Sequence, residues 1–423
     1  MNSSLLVNEI QEGKWDEKLL SVYVDHSMLE SQKSRYIQLI RDFENKFGEG
    51  EIEVYSVPGR SEVAGNHTDH QHGCVLACAV NLDIVVVARK SDQFSLISNN
   101  RPIEGVDASA LSYREAEKKT SKALVKGVMN RLKNMGYKVG NFQAIMVSNV
   151  LVGSGLSSSA AFEVAVAKII SELYNEGRIT PVEMAISSQY AENVYFGKPS
   201  GLMDQMACAC GSLVFIDFKE VTKPVVEKLD VDFTAFNHSL CIINTMGSHS
   251  DLNEDYAAIP VEMRSVANFF GKDYLRDVTV DQILDNLAAV RKRCGDRAVL
   301  RALHMLEEDD RVLQQVENLK KGDFEAFKKG ITASGDSSYK YLQNVYTTHN
   351  NMDQSLALAI KLSEMILKDK GVVRVHGGGF AGTIQAFVED DFVEEYRQKI
   401  ERYFGEGTCL VLKINPFGAY KVM

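Results

Sequence analysis

The sequence predicts an α+β fold with two domains, and three of its properties support this prediction. With 423 residues, of which 45% are hydrophobic and 25% charged, the chain is long enough for a sizeable core and for two domains. Some segments carry apolar residues at helical spacing, whereas others are short apolar runs rich in β-branched residues. These segments do not alternate regularly, which favours α+β over a doubly wound parallel sheet.

The N-terminal half of the chain mixes both patterns. Residues 5–48 predict two or three amphipathic helices that end at Gly48. A strand then leads into VPGR, and the run CVLACAVNLDIVVVARK predicts a pair of strands on either side of Asn81 and Asp83. The other elements predicted in this half are helices at 114–135, 156–174 and 181–195 and strands at 142–152 and 212–218.

The C-terminal half begins with a predicted strand at 239–245 and continues with several charged helices between residues 260 and 370. Residues 371–388, GVVRVHGGGFAGTIQAFV, then predict a strand, a glycine turn, and a second strand or a helix. We place the boundary between the halves near residue 220, which divides the chain into domains 1–220 and 221–423.

Composition and charge restrict the partners and the compartment. The chain has 47 basic and 57 acidic residues, and its net charge of -10 argues against nucleic acid or a membrane surface as partner. No apolar stretch approaches the roughly 18 residues of a membrane span, and the N-terminus lacks the pattern of a signal peptide. Seven cysteines without a C-x-x-C pair indicate reduced thiols. We therefore expect a cytoplasmic monomer or homodimer that acts on a small molecule.

The segment VGSGLSSSAAFEVAVAKII predicts a phosphate cradle. Gly153 and Gly155 allow a close turn after a strand, and Ser157, Ser158 and Ser159 occupy the first turn of the following helix. The free N–H groups of a helix N-terminus favour an anion. The glycine spacing matches neither the P-loop nor the dinucleotide fingerprint. A serine-capped helix after a glycine turn is the structural alternative.

A second glycine cluster comprises Gly377, Gly378, Gly379 and Gly382. Alone, such a cluster is more typical of a bulge or a tight bend than of a ligand site. This second cluster, like the first, follows a buried apolar strand. The two glycine turns together therefore fit a nucleotide site that is closed from two sides.

Two acids and one arginine are candidates for chemistry. Asp204 lies in the apolar stretch GLMDQMACA, where a buried carboxylate is costly unless it is paired. It is therefore either part of an ion pair or functional, and Arg60, after Pro58 and Gly59, is the candidate partner. Glu192 lies on a polar helix that precedes Asp204.

The segment GNHTDHQHG, residues 65–73, carries three histidines and a carboxylate within six residues. A zinc site formed by His67, His70 and His72 is one interpretation, but a structural zinc site needs four ligands and no second ligand cluster accompanies these residues. The alternative is a polar wall of a binding pocket.

Three separated segments resemble the motifs of the GHMP small-molecule kinases: PGRSEVAGNHTDHQHGCVLACAV, VGSGLSSSAAFEVAVA with GLMDQMA, and HGGGFAGT. The first is similar to the galactokinase signature. The resemblance implies an ATP-dependent kinase that phosphorylates the anomeric C1 hydroxyl of a sugar, galactose being the first choice. It also implies a ribosomal-protein-S5-like N-terminal domain and an α/β C-terminal domain.

The same resemblance assigns roles in phosphoryl transfer. Asp204 would be the base for the sugar hydroxyl, and Arg60 would keep Asp204 ionised and offset transition-state charge. Ser159 and Glu192 would hold Mg²⁺. The residues implied to bind ATP are Gly153, Ser154, Gly155, Leu156, Ser157, Ser158, Ser159, Gly377 and Gly378.

The residues implied to bind the sugar are Asn66, His67, Thr68, Asp69 and Tyr256. Asn66 stands where galactokinases carry a glutamate, and Ser61 and Glu62 depart from the usual RVN. The family glutamate contacts the C6 hydroxyl of galactose, and it would repel a sugar that carries a carboxylate at C6. An asparagine at the same place would donate a hydrogen bond to that carboxylate. The tripeptide DHQ at 69–71 is also similar to plant galacturonokinases, so a galacturonate 1-kinase is the alternative.

A catalytically silent sugar sensor is a third possibility, since some galactokinase-like proteins bind sugar and ATP only to control a partner. Known sensors lose residues in the serine-alanine part of the phosphate loop. Here residues 157–161, Arg60 and Asp204 are intact, which favours an active enzyme.

Overall fold

The computed structural model describes residues 1–151, 155–247 and 252–423. The predicted phosphate-binding residues Gly153 and Ser154 lie outside the described residues. The helices of the described chain, numbered α1 to α14 in order, are Ser3–Gln11, Asp16–Tyr23, Leu29–Phe47, Ser121–Asn134, Ser158–Asn175, Pro181–Tyr190, Met203–Cys210, Asn253–Phe269, Val280–Asp285, Leu287–Cys294, Asp296–Lys320, Phe324–Ser337, Ser355–Leu367 and Val393–Phe404. The strands, β1 to β12, are Glu53–Ala64, Cys74–Lys90, Ser95–Ser98, Arg101–Ile103, Phe142–Ser148, Leu213–Asp217, Val225–Leu229, His238–Asn244, Gly371–Val375, Thr383–Glu389, Cys409–Leu412 and Tyr420–Lys421.

The first sheet has the strand order β12-β1-β2-β5-β3-β4. Two further strands belong to it, because β6 also pairs with β2, and β7 pairs with β6. Helices cover both of its faces. Side chains of α1 to α3 pack with Val85 and Val87 of β2 on one face, while those of α4 to α7 pack with Val86 and Ala88 on the other. This alternation follows from the two-residue side-chain period of a strand, so the predicted helices before residue 48 and after residue 114 form separate layers.

Strand β2 is one strand of 17 residues, and the expectation of a strand pair here is wrong. The buried Asp83 does not break the strand, because its carboxylate accepts from Arg35 Nη1 at 2.5 Å and Tyr23 Oη at 2.8 Å. A paired and hydrogen-bonded buried charge is tolerated within a sheet. Strand β1 runs antiparallel beside both halves, with Glu53 opposite Ala88 and Ala64 opposite Leu76.

The second sheet is antiparallel and has the order β11-β8-β10-β9. The segment 371–388 forms strands on both sides of its glycine turn, so the second element there is a strand and not a helix. Leu240 of β8, Phe327 of α12 and Phe387 of β10 belong to the same buried cluster as the first sheet. The two halves therefore share a core.

The domain ranges 1–220 and 221–423 remain a prediction. Strand β7 lies beyond residue 220 and pairs with β6 in the first sheet, and the last strand, β12, returns to pair with β1. Among the described residues, none of the helices has the length and apolar character required to cross a bilayer.

Candidate active site

A cavity of about 370 Å³ lies where the end of β1, the start of α7, α8 and the second glycine turn meet. Its size falls within the usual range of small-molecule sites. The sequence-predicted residues that line it are Arg60, His67, Asp69, Asp204, Tyr256, Gly377 and Gly378. The fold therefore brings together residues from all three motif segments, which are far apart in the chain.

An ion pair joins Arg60 to Asp204 at one wall of this cavity. Arg60 Nε donates to Asp204 Oδ1 at 2.7 Å, and Ser157 Oγ donates to Oδ2 at 2.5 Å. Burial favours a higher pKa for Asp204, but the charge and hydrogen bond of Arg60, with that of Ser157, hold the pKa below its ordinary value. Asp204 is thus a carboxylate near neutral pH, and 34% of its side chain is exposed.

Local backbone geometry explains how this pair forms. The register between β1 and β2 shifts between Pro58 and Arg60, which marks a bulge, and bulges re-aim side chains next to functional sites. The Arg60 N–H donates to the Leu156 carbonyl at 3.1 Å, and its guanidinium donates to the Gly155 carbonyl. Asp204 lies in the first turn of α7, where the helix dipole favours a carboxylate.

The described part of the predicted phosphate cradle ends at the N-terminus of α5. Gly155 and Ser157 both have positive φ, 74° and 57°, which turns the chain sharply into the helix. The Ser157 hydroxyl binds Asp204 and does not cap α5, and Ser158 and Ser159 form the first turn. Ser157, the residue before this 18-residue helix, links its N-terminus to Asp204, and the free N–H groups of a helix N-terminus favour a phosphate. The Leu156 side chain is fully buried.

Glu192 lies at the edge of the same region. Its carboxylate accepts from Lys198 Nζ and from Gln205 Nε2, both at 2.9 Å, and it is almost fully buried. Gln205 also donates to Glu163, whose pKa is raised well above its ordinary value by burial and then by the charge of Glu192. Glu192 therefore contacts one cationic side chain, and its part in holding Mg²⁺ stays a prediction.

The sugar motif divides into residues that face the cavity and residues that support it. His67 and Asp69 line the cavity. Thr68 does not, because it is fully buried and its hydroxyl lies within hydrogen-bond distance of the carbonyls of Gly65 and Cys74. Thr68 therefore closes the turn of the motif and does not reach a ligand in this conformation.

Asn66 also lies behind the cavity wall. Its Nδ2 donates to Glu62 Oε1 at 3.1 Å and to the Gly377 carbonyl at 2.6 Å. Its Oδ1 accepts from Asn344 Nδ2 at 2.8 Å and from Ser338 Oγ at 3.3 Å. A carboxamide has two N–H donors and two oxygen lone pairs, so these four contacts occupy all of its capacity. The Asn66 side chain has none left for a sugar.

The Asn66 contacts predict the effect of an isosteric change. In Asn66→Asp the new carboxylate faces Glu62 and the Gly377 carbonyl, both acceptors, so two attractive contacts become repulsive. We expect the free energy of unfolding to fall by about 2–4 kcal/mol, the usual cost of a buried unpaired charge. Denaturant unfolding at pH 7 measures this free energy of unfolding. The control is Asn134→Asp, which changes an exposed asparagine in the same way. Equal stability of Asn66→Asp and the parent would contradict this network.

Two of the three histidines of the motif, His67 and His70, lie side by side with ring centroids 5.9 Å apart, and the third, His72, contacts a different residue. His67 Nε2 contacts the Gly378 carbonyl at 2.9 Å, and burial, followed by the neighbouring His70, lowers the pKa of His67 to about 4. His70 lines the cavity, whereas His72 stacks on Tyr274 with ring centroids 3.6 Å apart. Within the described ranges, no group of three or more His, Cys, Asp or Glu side chains is arranged to hold a metal.

The second glycine turn packs against the sugar motif. A Cβ on Gly378 would come within 1.7 Å of the Tyr256 hydroxyl, so only glycine allows this contact. The carbonyls of Gly377 and Gly378 accept from Asn66 and His67. Gly377 and Gly378 therefore hold the sugar motif and Tyr256 in place, in addition to the predicted part in ATP binding.

Six of the lining residues were not among the predicted site residues, and they are Glu62, His70, Lys198, Ser200, Gly201 and Met203. Glu62 lines the cavity beside Tyr256, and Lys198 lies between Glu192 and Asp204. In the sequence, Glu62 is distinguished only because it departs from the tripeptide RVN that is usual in galactokinases. Lys198 has a weaker signal, since it is only a basic residue shortly before the segment GLMDQ.

Comparison with known proteins finds family matches and relatives for this chain. Residues 41–90 match the galactokinase galactose-binding signature, and residues 123–212 match the GHMP kinases N terminal domain. A galactokinase of Haemophilus influenzae is 31% identical over 370 residues, which cover 85% of this chain and 91% of that protein. A galactokinase of Glaesserella parasuis is 30% identical over 376 residues, which cover 86% of this chain and 93% of that protein.

Solved structures show the same fold. The Lactococcus lactis galactokinase complexed with galactose superimposes with a TM-score of 0.74 at 22% identity, over 90% of this chain and 98% of that one. The Methanococcus jannaschii mevalonate kinase does so with a TM-score of 0.61 at 15% identity, over 86% of this chain and 99% of that one. The predicted two-domain GHMP kinase fold is confirmed. From the 31% identity to a galactokinase over most of both chains, and from both family matches, it follows that this chain belongs to the galactokinase family of the GHMP kinases.

Proposed function

We propose that this protein is an ATP-dependent galactokinase, which transfers the γ-phosphoryl group of ATP to the C1 hydroxyl of galactose. The observation that carries the proposal is the Arg60–Asp204 ion pair, which lies beside the N-terminus of α5 in a cavity also lined by Asp69 and Tyr256. The named activity of the relatives of about 30% identity supports galactose as the sugar.

The ionised Asp204 accepts the proton of the C1 hydroxyl. The hydroxyl oxygen then attacks the γ-phosphorus, the bond from that phosphorus to its bridging oxygen breaks, and ADP leaves. Phosphoryl transfer depends mainly on positioning and on electrostatic stabilisation. Arg60 supplies both, because its guanidinium orients Asp204 and places a positive charge near the phosphates at the N-terminus of α5.

The N-terminus of α5 and Glu192 are the part of the site that would take the nucleotide and its metal ion. The N–H groups at Ser158 and Ser159 would bind phosphate oxygens, and Ser159 and Glu192 would hold Mg²⁺. When bound, Mg²⁺ neutralises charge on the phosphates. Lys198 is paired with Glu192 at 2.9 Å.

The partners and the compartment follow from the same proposal. The substrates are small molecules, a sugar and ATP, without nucleic acid or membrane. All seven cysteines are free thiols, which supports a reducing, cytoplasmic location. The protein would act as a monomer or a homodimer.

The test is a coupled ADP-release assay over galactose, galacturonate, glucose, N-acetylgalactosamine and arabinose. We expect galactose to give the highest kcat/KM, because the cavity is lined by the carboxylates of Glu62, Asp69 and Asp204, which bind hydroxyls well and repel a carboxylate. Turnover of no sugar would contradict a kinase and favour the sensor. A higher kcat/KM for galacturonate than for galactose would contradict the assigned substrate.

A further inference from the structure

We infer that Glu62 and Asn66 have exchanged roles in this chain, so that Glu62 is the carboxylate that binds a sugar hydroxyl and selects a neutral sugar over its C6 acid. This inference rests on the proposed function. Its basis is that Glu62 lines the cavity whereas Asn66 lies behind it, and that their polar groups are in contact.

The contact makes the exchange geometrically simple. Asn66 Nδ2 and Glu62 Oε1 are 3.1 Å apart. Moving the acid from position 66 to position 62 therefore displaces the carboxylate by about one hydrogen-bond length. The carboxamide of Asn66 takes the supporting position, which requires both a donor and an acceptor. The Gly377 carbonyl needs a donor, whereas Asn344 and Ser338 both need an acceptor.

Glu62 is held in place by a buried arginine. Arg374 is fully buried and donates to Glu62 Oε1 at 2.7 Å, to the Val63 carbonyl at 2.8 Å and to the Val375 carbonyl at 3.0 Å. The hydrogen bonds from Arg374 and Asn66 both go to Oε1, which leaves Oε2 to accept from a ligand. Both partners fix the carboxylate before the sugar arrives, which is the preorganisation that binding sites require.

The charges around the cavity decide which sugar Glu62 accepts. Its neighbours include the carboxylates of Asp69 and Asp204, while the cations Arg60 and Lys198 are paired with Asp204 and Glu192. Burial raises the pKa of Glu62 and the charge of Arg374 opposes this rise. A sugar that carried its own carboxylate would meet this acidic wall without an unpaired arginine or lysine among the described lining residues.

The first test is Glu62→Gln. We expect KM for galactose to rise about tenfold to a hundredfold, as for the loss of a hydrogen bond to a charged group, while kcat changes by less than about threefold. The ratio of kcat/KM for galactose over galacturonate should fall, because the repulsion is removed. The matched control is Glu53→Gln, on the same strand but paired with Lys421 away from the cavity; its KM should equal that of the parent.

The second test is a double-mutant cycle, with galactose binding measured by calorimetry for Glu62→Asn, Asn66→Glu and the combined variant. We expect the combined variant to bind galactose more tightly than either single variant, since it restores one carboxylate and one carboxamide. An unchanged KM in Glu62→Gln, or a combined variant no better than Glu62→Asn, would overturn the inference. A parent enzyme that turns over no sugar would instead overturn the proposed function.

Discussion

Asp204→Asn is expected to lower kcat with galactose by about 10²–10⁴-fold, the usual contribution of a general base. The asparagine keeps the size of the side chain and its contact with Ser157 but cannot accept the proton of the sugar hydroxyl. Because the other cavity residues are unchanged, the affinity for galactose should stay within a few fold of the parent value. Asp204 thus differs from Glu62, whose replacement should act on KM.

Steady-state kinetics and galactose calorimetry measure these two quantities separately. The matched control is Asp217→Asn, since Asp217 also pairs with an arginine, Arg276, at 2.8 Å but lies outside the cavity. We expect the control to retain the kcat of the parent. An Asp204→Asn variant with a kcat within tenfold of the parent value would show that another group is the base.

Arg60→Gln should have the second-largest effect, a loss of about 10²–10³-fold in kcat, typical of removing one group that stabilises developing charge. It should also change the pH dependence. Arg60 holds the pKa of Asp204 below its ordinary value, so without Arg60 burial dominates and the pKa rises. Because Asp204 acts only when ionised, the acidic limb of kcat should move to higher pH.

The pH profile separates this effect from simple misfolding. A protein that had lost structure would lose activity at all pH values, whereas the expected variant recovers part of its kcat as the pH rises. Arg60→Lys is the comparison, because it keeps a positive charge near Asp204 and should retain an acidic limb close to that of the parent. An acidic limb unchanged in Arg60→Gln would contradict the role of this ion pair.

Much of the fold follows from local sequence patterns. The helices before residue 48, the helix after the phosphate loop, and the first strand and glycine turn of 371–388 lie where the periodicity of apolar residues and the glycines predict them. The patterns left the second element of 371–388 open as a strand or a helix, and it is a strand. The pairing of Arg60 with Asp204 was also predictable, since a buried carboxylate requires a partner. Strand β2 was not, because the contacts of Asp83 with Arg35 and Tyr23 come from helices that precede it in the chain.

The family motifs in the sequence determine which residues belong to the candidate site, but they do not determine which way each side chain faces. Asn66 binds Asn344 and Gly377, which are 278 and 311 residues away in the chain. No local pattern carries that information, so the substitution at residue 66 indicates a changed sugar pocket when the motif is considered alone. In the folded protein Glu62 lines the cavity and Asn66 does not, because a side chain's direction depends on the partners that the tertiary fold brings to it.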